Sequence, residues 1–287
     1  MSAPAAHRAF VKYSRRAGTY QQLTLTSPGI ADGVRPGQFV SVAVGGPDSP
    51  MVTRRAFSIH SVHHSSAKEA QTLDLVISPV GRGSSWLASR QPGEVVDVIT
   101  PLGKGFALPL DPVPCLLVAG GYGSAPMAFL ASELAARGCQ VDVIFGASTE
   151  SKLFGTLEAK RIATHFRVTT DDGSAGLRGR VSDAMPELIA KSSTMVVYAC
   201  GPMPMLQAVA AVADAHGIVS QVSVEEDMSC GIGVCMSCVL PVVGEDGVTR
   251  MVRSCAEGPV FRGSAVRWDA LGTVPADCLG APQPGGH

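Results

Sequence analysis

The sequence predicts a β plus α/β fold in three parts: an N-terminal antiparallel Greek-key β-barrel (1–108), a central α/β domain on a parallel sheet (109–218) and a C-terminal cysteine-bearing segment (219–287). Three observations predict it. Short period-two segments, punctuated by Gly and Pro, run from Phe10 to about Ala107. Strand–helix alternation replaces them from Val113 to about Gly217. Four cysteines then follow, Cys230, Cys235, Cys238 and Cys255, spaced C-x4-C-x2-C with the last after sixteen more residues.

The barrel strands are read at 21–26, 38–44, 72–77 and 94–99, where apolar side chains alternate with polar ones. Within this part, Arg54 to Ile59 reads as a further strand. Period two sets Arg55, Phe57 and Ile59 on one face and Ala56 and Ser58 on the other. An arginine fork suits a diphosphate, an aromatic suits a flat ring and a hydroxyl suits a ring nitrogen or carbonyl. A half-exposed strand with solvated arginines is the plainer alternative. Next, Gly81, Gly83, Ser84 and Ser85 fall at the start of a short helix, where an anion nest or an ordinary hairpin turn would both fit.

In the central part, strand 115–119 runs into Gly120-Gly121-Tyr122-Gly123-Ser124-Ala125-Pro126 and a helix at 125–137. The glycines permit close approach of a diphosphate, Ser124 is placed to cap the helix, and Pro126 sits where a missing N–H costs little. The order is not G-x-G-x-x-G. Strands at 140–146, 166–170 and 195–199 and helices at 182–191 and 204–216 complete the alternation. Cys200-Gly201-Pro202 follows a strand at the carboxyl edge of the sheet, where ligands bind; a buried small apolar residue is the other reading of Cys200. Cys115, Cys139 and Cys278 are read as buried apolar residues.

The C-terminal spacing is that of a plant-type 2Fe–2S loop, with Gly231 and Gly233 letting backbone N–H groups approach anionic sulfur. Zinc, which more often uses two separated C-x2-4-C pairs, and disulfides are the alternatives. Composition bounds the rest. A chain of 287 residues with 46% hydrophobic and 16% charged residues has room for about two cored domains, and a net charge of −1 gives no nucleic-acid footprint. Residues 1–8 lack the apolar run of a signal peptide. The most apolar stretch, 115–136, is broken by glycines and a proline, so a cytoplasmic protein without a membrane span is expected. The Pro/Gly tail 281–287 is expected to be disordered.

Taken in order, Arg-x-Phe-Ser (55–58), Gly-Ser-Ser (83–85), Gly-Gly-Tyr-Gly-Ser-Ala-Pro (120–126) and Cys-Gly-Pro (200–202) resemble the ferredoxin–NADP reductase superfamily. The branch most similar is the electron-transfer subunit family of NAD-dependent dihydroorotate dehydrogenase B. It is resembled in Glu225-Glu226-Asp227 before the cysteine loop, Cys255-Ala256-Glu257-Gly258-Pro259-Val260-Phe261, 100–106, Thr170-Asp171-Asp172-Gly173-Ser174 and Gly179-Arg180-Val181. The resemblance spans about Val11 to Trp268. It implies FAD on the barrel, held by Arg55, Ala56, Phe57 and Ser58, by Val76, Ile77 and Ser78, and by Gly83, Ser84 and Ser85. It implies NAD(H) on the α/β domain, with Gly121, Gly123 and Cys200 at the nicotinamide and Cys200 tuning hydride transfer. It implies the cluster on Cys230, Cys235, Cys238 and Cys255. Tyr122, Phe57 and the longer, more polar 60–68 loop depart from the family pattern.

A nicotinamide exchanges two electrons and a 2Fe–2S cluster one, and a flavin converts between them. The implied role is a relay of NAD, FAD and cluster for pyrimidine biosynthesis. The resemblance implies that dihydroorotate is oxidised on a separate barrel subunit with FMN. A barrel of that kind needs about 250 residues by itself, more than remain here after the two domains. A catalytic flavoprotein subunit, an FMN-containing dihydroorotate dehydrogenase, is therefore expected as partner in a hetero-oligomer, a heterotetramer, with the cluster near the subunit boundary. A standalone NAD(P)H reductase feeding an oxygenase or ferredoxin, and a zinc-binding adaptor, are the rival readings. No arginine cluster follows Gly146-Ala147-Ser148-Thr149-Glu150, which favours NAD over NADP.

Overall fold

The computed structural model describes residues 3–46, 49–64 and 71–281. The period-two segments close into a six-stranded barrel: β1 (Ala5–Ala17), β2 (Tyr20–Thr26), β3 (Phe39–Val42), β4 (Arg55–His63), β5 (Thr72–Ile77) and β6 (Val95–Leu102), with helix α1 (Arg82–Ala88) between β5 and β6. The order around the barrel is β1-β2-β5-β4-β3-β6. Consecutive β3, β4 and β5, with β6 returning beside β3, form the Greek key. Alternate residues such as Leu23, Leu25, Val40, Val42, Leu73 and Leu75 fill the interior.

One seam of the barrel opens. β4 and β5 pair from His63↔Thr72 to Ile59↔Leu75, and the pairing stops there. A bulge between Ile59 and Ser61 breaks the alternation, so Ile59 and His60 are buried in succession. Arg55–Ser58 on β4 and Val76–Ser78 at the end of β5 become the two lips of the opening.

The second body is a seven-stranded sheet: β7 (Cys115–Gly120), β8 (Val141–Ala147), β9 (His165–Thr170), β10 (Leu177–Arg178), β11 (Val196–Cys200), β12 (Val219–Ser223) and β15 (Val260–Arg262), in the order β10-β9-β8-β7-β11-β12-β15. All are parallel except β15. Helices α2 (Met127–Ala136), α3 (Thr156–Ile162), α4 (Val181–Ser192) and α5 (Met203–Ala215) cover it, and β13 (Val239–Val243) pairs with β14 (Thr249–Arg253) apart from it. Both faces are buried, which is why β7 reads as one apolar run. Leu116 and Val118 point to α4 and α5, and Leu117 and Ala119 to α2.

Two expectations are corrected. The C-terminal segment does not begin as a separate unit at 219: β12 and β15 complete the α/β sheet, and Val222, Phe261 and Val266 join its core. Sequence alternation could not place short strands in a sheet begun a hundred residues earlier. Nor does Ser124 cap α2. A 3₁₀ turn, Gly121–Ser124, precedes the helix, Pro126 takes the cap position, and the Ser124 hydroxyl donates to the Gly121 carbonyl at 3.0 Å. The tail beyond Ala281 and the polar segment 65–70 lie outside the described residues. Among the described residues no helix is long and apolar enough to cross a membrane.

Candidate flavin, nucleotide and cluster sites

At the barrel opening, Arg55 lies along the first turn of α1. A Cβ on Gly83 would stand 3.1 Å from Arg55 Nε and from Val44 Cγ2. Glycine is thus what lets the guanidinium lie against this helix start. Arg55 donates to the Thr53 carbonyl (2.8 Å) and hydroxyl (2.6 Å), which fixes the fork. No acidic residue sits in the first turn of α1, and the Ser84 hydroxyl accepts from the Gly81 amide at 3.0 Å. A fixed cation and a helix start lined by serine hydroxyls fit a diphosphate. Ser85 is exposed beside them, Ala56 and Ser58 are half-buried on the outward face of β4, and Ser78 is half-buried at the other lip. Phe57 differs from its expected company. It packs with Ile59 inside the barrel and keeps 8% exposure, while Arg55, at the strand end, turns to α1.

The chain moves outward from β7 to β10 and returns to β11 beside β7, so the switch point lies between the carboxyl ends of β7 and β11. A cavity of about 380 Å³ opens there, lined among others by Gly120, Gly121, Gly146, Ser148, Lys152, Asp171, Arg180 and Ser182. It faces the N-termini of α4 and α5, not that of α2, whose start is buried against the barrel. Gly121 is therefore on the cavity wall and Gly123 is not: a Cβ on Gly123 would overlap the Cys200 carbonyl oxygen and lie 2.5 Å from its carbon. Cys200 is buried at 3% exposure. Burial, followed by the Glu225 carboxylate, pushes its thiol up to about 12 against the opposing Ser223 hydrogen bond, so it stays neutral at physiological pH. Desolvation also raises Glu225.

The sequence reading assigned no role to Lys152, Asp171, Arg180, Glu225 or His60. Thr170–Ser174 and Gly179–Val181 were visible as motifs, but only the fold shows that they share one cleft. The structure also supplies the cations that the scan after Gly146 did not find. Arg180 comes to the cleft from the cap of α4.

The cysteine loop follows β12 and docks on the barrel. Gly231 (φ 74°) faces Phe39 and Ser41 of β3, with built Cβ distances of 3.4 Å. Arg253 donates to the Gly233 carbonyl at 2.9 Å and pairs with Glu257 at 2.6 Å, which pins the loop to the end of β14. The thiols stand in two pairs, Cys230 with Cys235 and Cys238 with Cys255. Against burial, which alone would raise it, N–H groups of Ile232, Cys235 and Val234 bring Cys230 down to about 6. Burial, then Cys238, pushes Cys255 up to about 12. Two thiol pairs, one cradled by backbone N–H groups, fit a two-iron cluster. Cys238 and Cys255 pack with Phe39, Leu102 and the outward Ala56 of β4. Cys235 is exposed, amid exposed Ile232, Val234 and Met236.

Known proteins agree with this geometry. Residues 225–267 match the iron–sulfur cluster binding domain of dihydroorotate dehydrogenase B, and residues 117–211 match the oxidoreductase NAD-binding domain. Dihydroorotate dehydrogenase B (NAD(+)) electron transfer subunits are similar over most of their length. That of Desulforamulus reducens is 36% identical, covering 85% of this chain and 90% of its own; that of Geobacillus kaustophilus is 39% identical, covering 86% and 92%. Among solved structures, the NADH-dependent reduced ferredoxin-NADP oxidoreductase, determined for flavin-based electron bifurcation, superposes with a TM-score of 0.78 at 28% identity over 92% of this chain and 91% of that one. A Neisseria gonorrhoeae ferredoxin NADP+ reductase with bound FAD and NADP shares the fold at a TM-score of 0.57 and 18% identity, covering 76% of this chain and 93% of that one. The barrel, the switch-point cleft and the paired cysteines are thus those of one lineage, and this chain belongs to the family of dihydroorotate dehydrogenase B electron transfer subunits.

Proposed function

We propose that the chain relays electrons between NAD and a catalytic, FMN-containing dihydroorotate dehydrogenase subunit, in a cytoplasmic heterotetramer of pyrimidine biosynthesis. FAD, when bound, supplies exchange between two-electron and one-electron carriers. One observation carries the reading: the barrel opening touches both other sites. Ala56 on one lip packs with Cys238 and Cys255, and Val76 on the other accepts a hydrogen bond from Tyr122 of the nucleotide turn.

Each group of residues then has a task. Arg55, Gly83, Ser84 and Ser85 hold the FAD diphosphate; Ala56, Ser58, Val76, Ile77 and Ser78 border its ring system, with Phe57 supporting β4 from within. Gly121 admits the nicotinamide end of the dinucleotide, and Gly123 and Cys200 shape the turn beside it. Cys230, Cys235, Cys238 and Cys255 hold the cluster, and the apolar collar around Cys235 is the surface offered to the catalytic subunit. As working units we keep 1–108 for FAD and the cysteine loop for the cluster, with 109–218 for NAD completed by β12 and β15.

Anaerobic affinity purification from the native host tests this. The expected result is a brown complex with one FAD and about two irons and two labile sulfides per chain, holding a flavoprotein that oxidises dihydroorotate with NAD+. Colourless material, or a partner without that activity, sinks the proposal. A second prediction concerns the nucleotide. Asp171 sets a carboxylate in the cleft alongside the cations of Lys152 and Arg180, and that carboxylate taken by itself opposes a 2′-phosphate by about 1 kcal/mol at close range in water. Asp171→Asn is therefore expected to raise kcat/KM for NADPH about fivefold, with NADH nearly unchanged, in steady-state assays with a dye acceptor.

A further inference from the structure

Among the side-chain hydrogen bonds that join the barrel to the nucleotide-binding body, three gather around the glycine turn and the aromatic residues beside it, and each of these ends on a backbone carbonyl. Tyr20 donates to Lys152 at 2.9 Å, His60 donates Nδ1–H to Ala125 at 2.5 Å, and Tyr122 donates to Val76. Their rings form one patch with Phe154, with Tyr20 and Tyr122 centroids 6.0 Å apart and Phe154 at 5.5 Å from Tyr20 and 5.6 Å from His60. Only the Tyr122 bond runs from the glycine turn straight to a flavin lip. Val76 is fully buried, β4 pairs no residue with it, and its carbonyl accepts instead from the Tyr122 phenol.

The turn has little slack with which to absorb a movement at Val76. Gly123 is wedged on the Cys200 carbonyl, and the start of α2 is held by His60. Burial raises the Tyr122 phenol far above its ordinary range, with Cys200, Glu225 and Tyr20 adding to the effect, so it remains a donor.

We propose that Tyr122 is a positioning residue for hydride transfer: its hydroxyl ties the Gly121–Gly123 turn to Val76 and thereby sets how the nicotinamide meets the flavin strand. The proposal rests on the reading that FAD occupies the opening between β4 and β5. A displacement of this kind at a reacting pair costs rate without costing affinity.

The test uses FAD-loaded, full-length protein carrying Tyr122→Phe, with Tyr20→Phe as the interface control. Tyr122→Phe is expected to slow stopped-flow flavin reduction by NADH about tenfold and to weaken the long-wavelength charge-transfer band of reduced protein with NAD+. The NAD+ dissociation constant should stay within about twofold, and Tyr20→Phe should keep the band. In wild-type protein NAD+ should slow hydrogen exchange at residues 76–78, and Tyr122→Phe should abolish that protection. An unchanged rate and band in flavin-loaded Tyr122→Phe overturns the inference, as does wild-type exchange at 76–78 that ignores NAD+. Wild-type protein unable to retain FAD overturns the parent reading instead.

Discussion

Cys238→Ser is expected to remove the cluster and leave the flavin. Cys238 is 1% exposed and packs with Cys255, Phe39 and Leu102, so no water or neighbouring side chain can replace its sulfur as a ligand. A serine oxygen is a harder and more basic donor, poorly matched to iron–sulfide. The flavin strand meets this pocket only through Ala56, and Arg55 and α1 are anchored elsewhere. Iron and labile sulfide should fall to roughly a tenth of wild type or less. NADH-dependent reduction of a two-electron dye should persist within about threefold, while dihydroorotate-linked NAD+ reduction in the assembled complex falls on the order of 100-fold. Metal analysis, electron paramagnetic resonance and the two assays separate these outcomes. Equal loss of both activities would mean that the cluster loop also holds the flavin.

Gly123→Ala carries the second large effect. The added methyl would overlap the Cys200 carbonyl oxygen and lie 2.5 Å from Cys200 C and 2.7 Å from Gly201 Cα. All three are backbone atoms of the adjoining strand end, so no rotamer change relieves the overlap. Forcing β7 and β11 apart at the switch point should cost about 3 kcal/mol and open the cleft from below. The expected result is a lower thermal midpoint and NAD+ binding weakened by about tenfold or more, with the cluster spectrum retained. Gly121→Ala supplies the contrast. It meets nothing within 4 Å, but its φ of 52° is unfavourable to an L-residue, so a smaller loss is expected. Melting curves and NAD+ titration distinguish the pair.

Much of the architecture was legible because burial writes itself into periodicity. In strand 20–26 the fully buried Leu23 and Leu25 are separated by the less buried Thr24, and β7 is apolar throughout because both of its faces are covered. The cysteine spacing was legible because a small cluster tolerates few loop lengths. What failed to show depends on contacts distant in sequence. His60 turns inward through a bulge that has no residue signature. Phe57 looked like a ring for a ligand and became barrel filling, since it shares the inward face of β4 with Ile59. Arg180 reaches the nucleotide cleft from the N-cap position of α4, just beyond the short edge strand β10. Tyr122 stood out only as too large for its turn, and its partner carbonyl lies on another body.

β12, before the cysteine loop, and β15, beyond the β13–β14 pair, stitch the C-terminal segment into the nucleotide sheet, and the segment is tied to the barrel by the Lys104 amide donating to the Gly258 carbonyl at 2.5 Å. Such an arrangement forbids modular surgery. A truncated chain ending near 218 would leave β11 as a raw edge and uncover the core that Val222, Phe261 and Val266 seal, inviting aggregation where a minimal NADH diaphorase was intended. Re-wiring this protein to another electron acceptor should instead graft only residues 228–238, between the end of β12 and the start of β13, and spare the strands on which they are mounted.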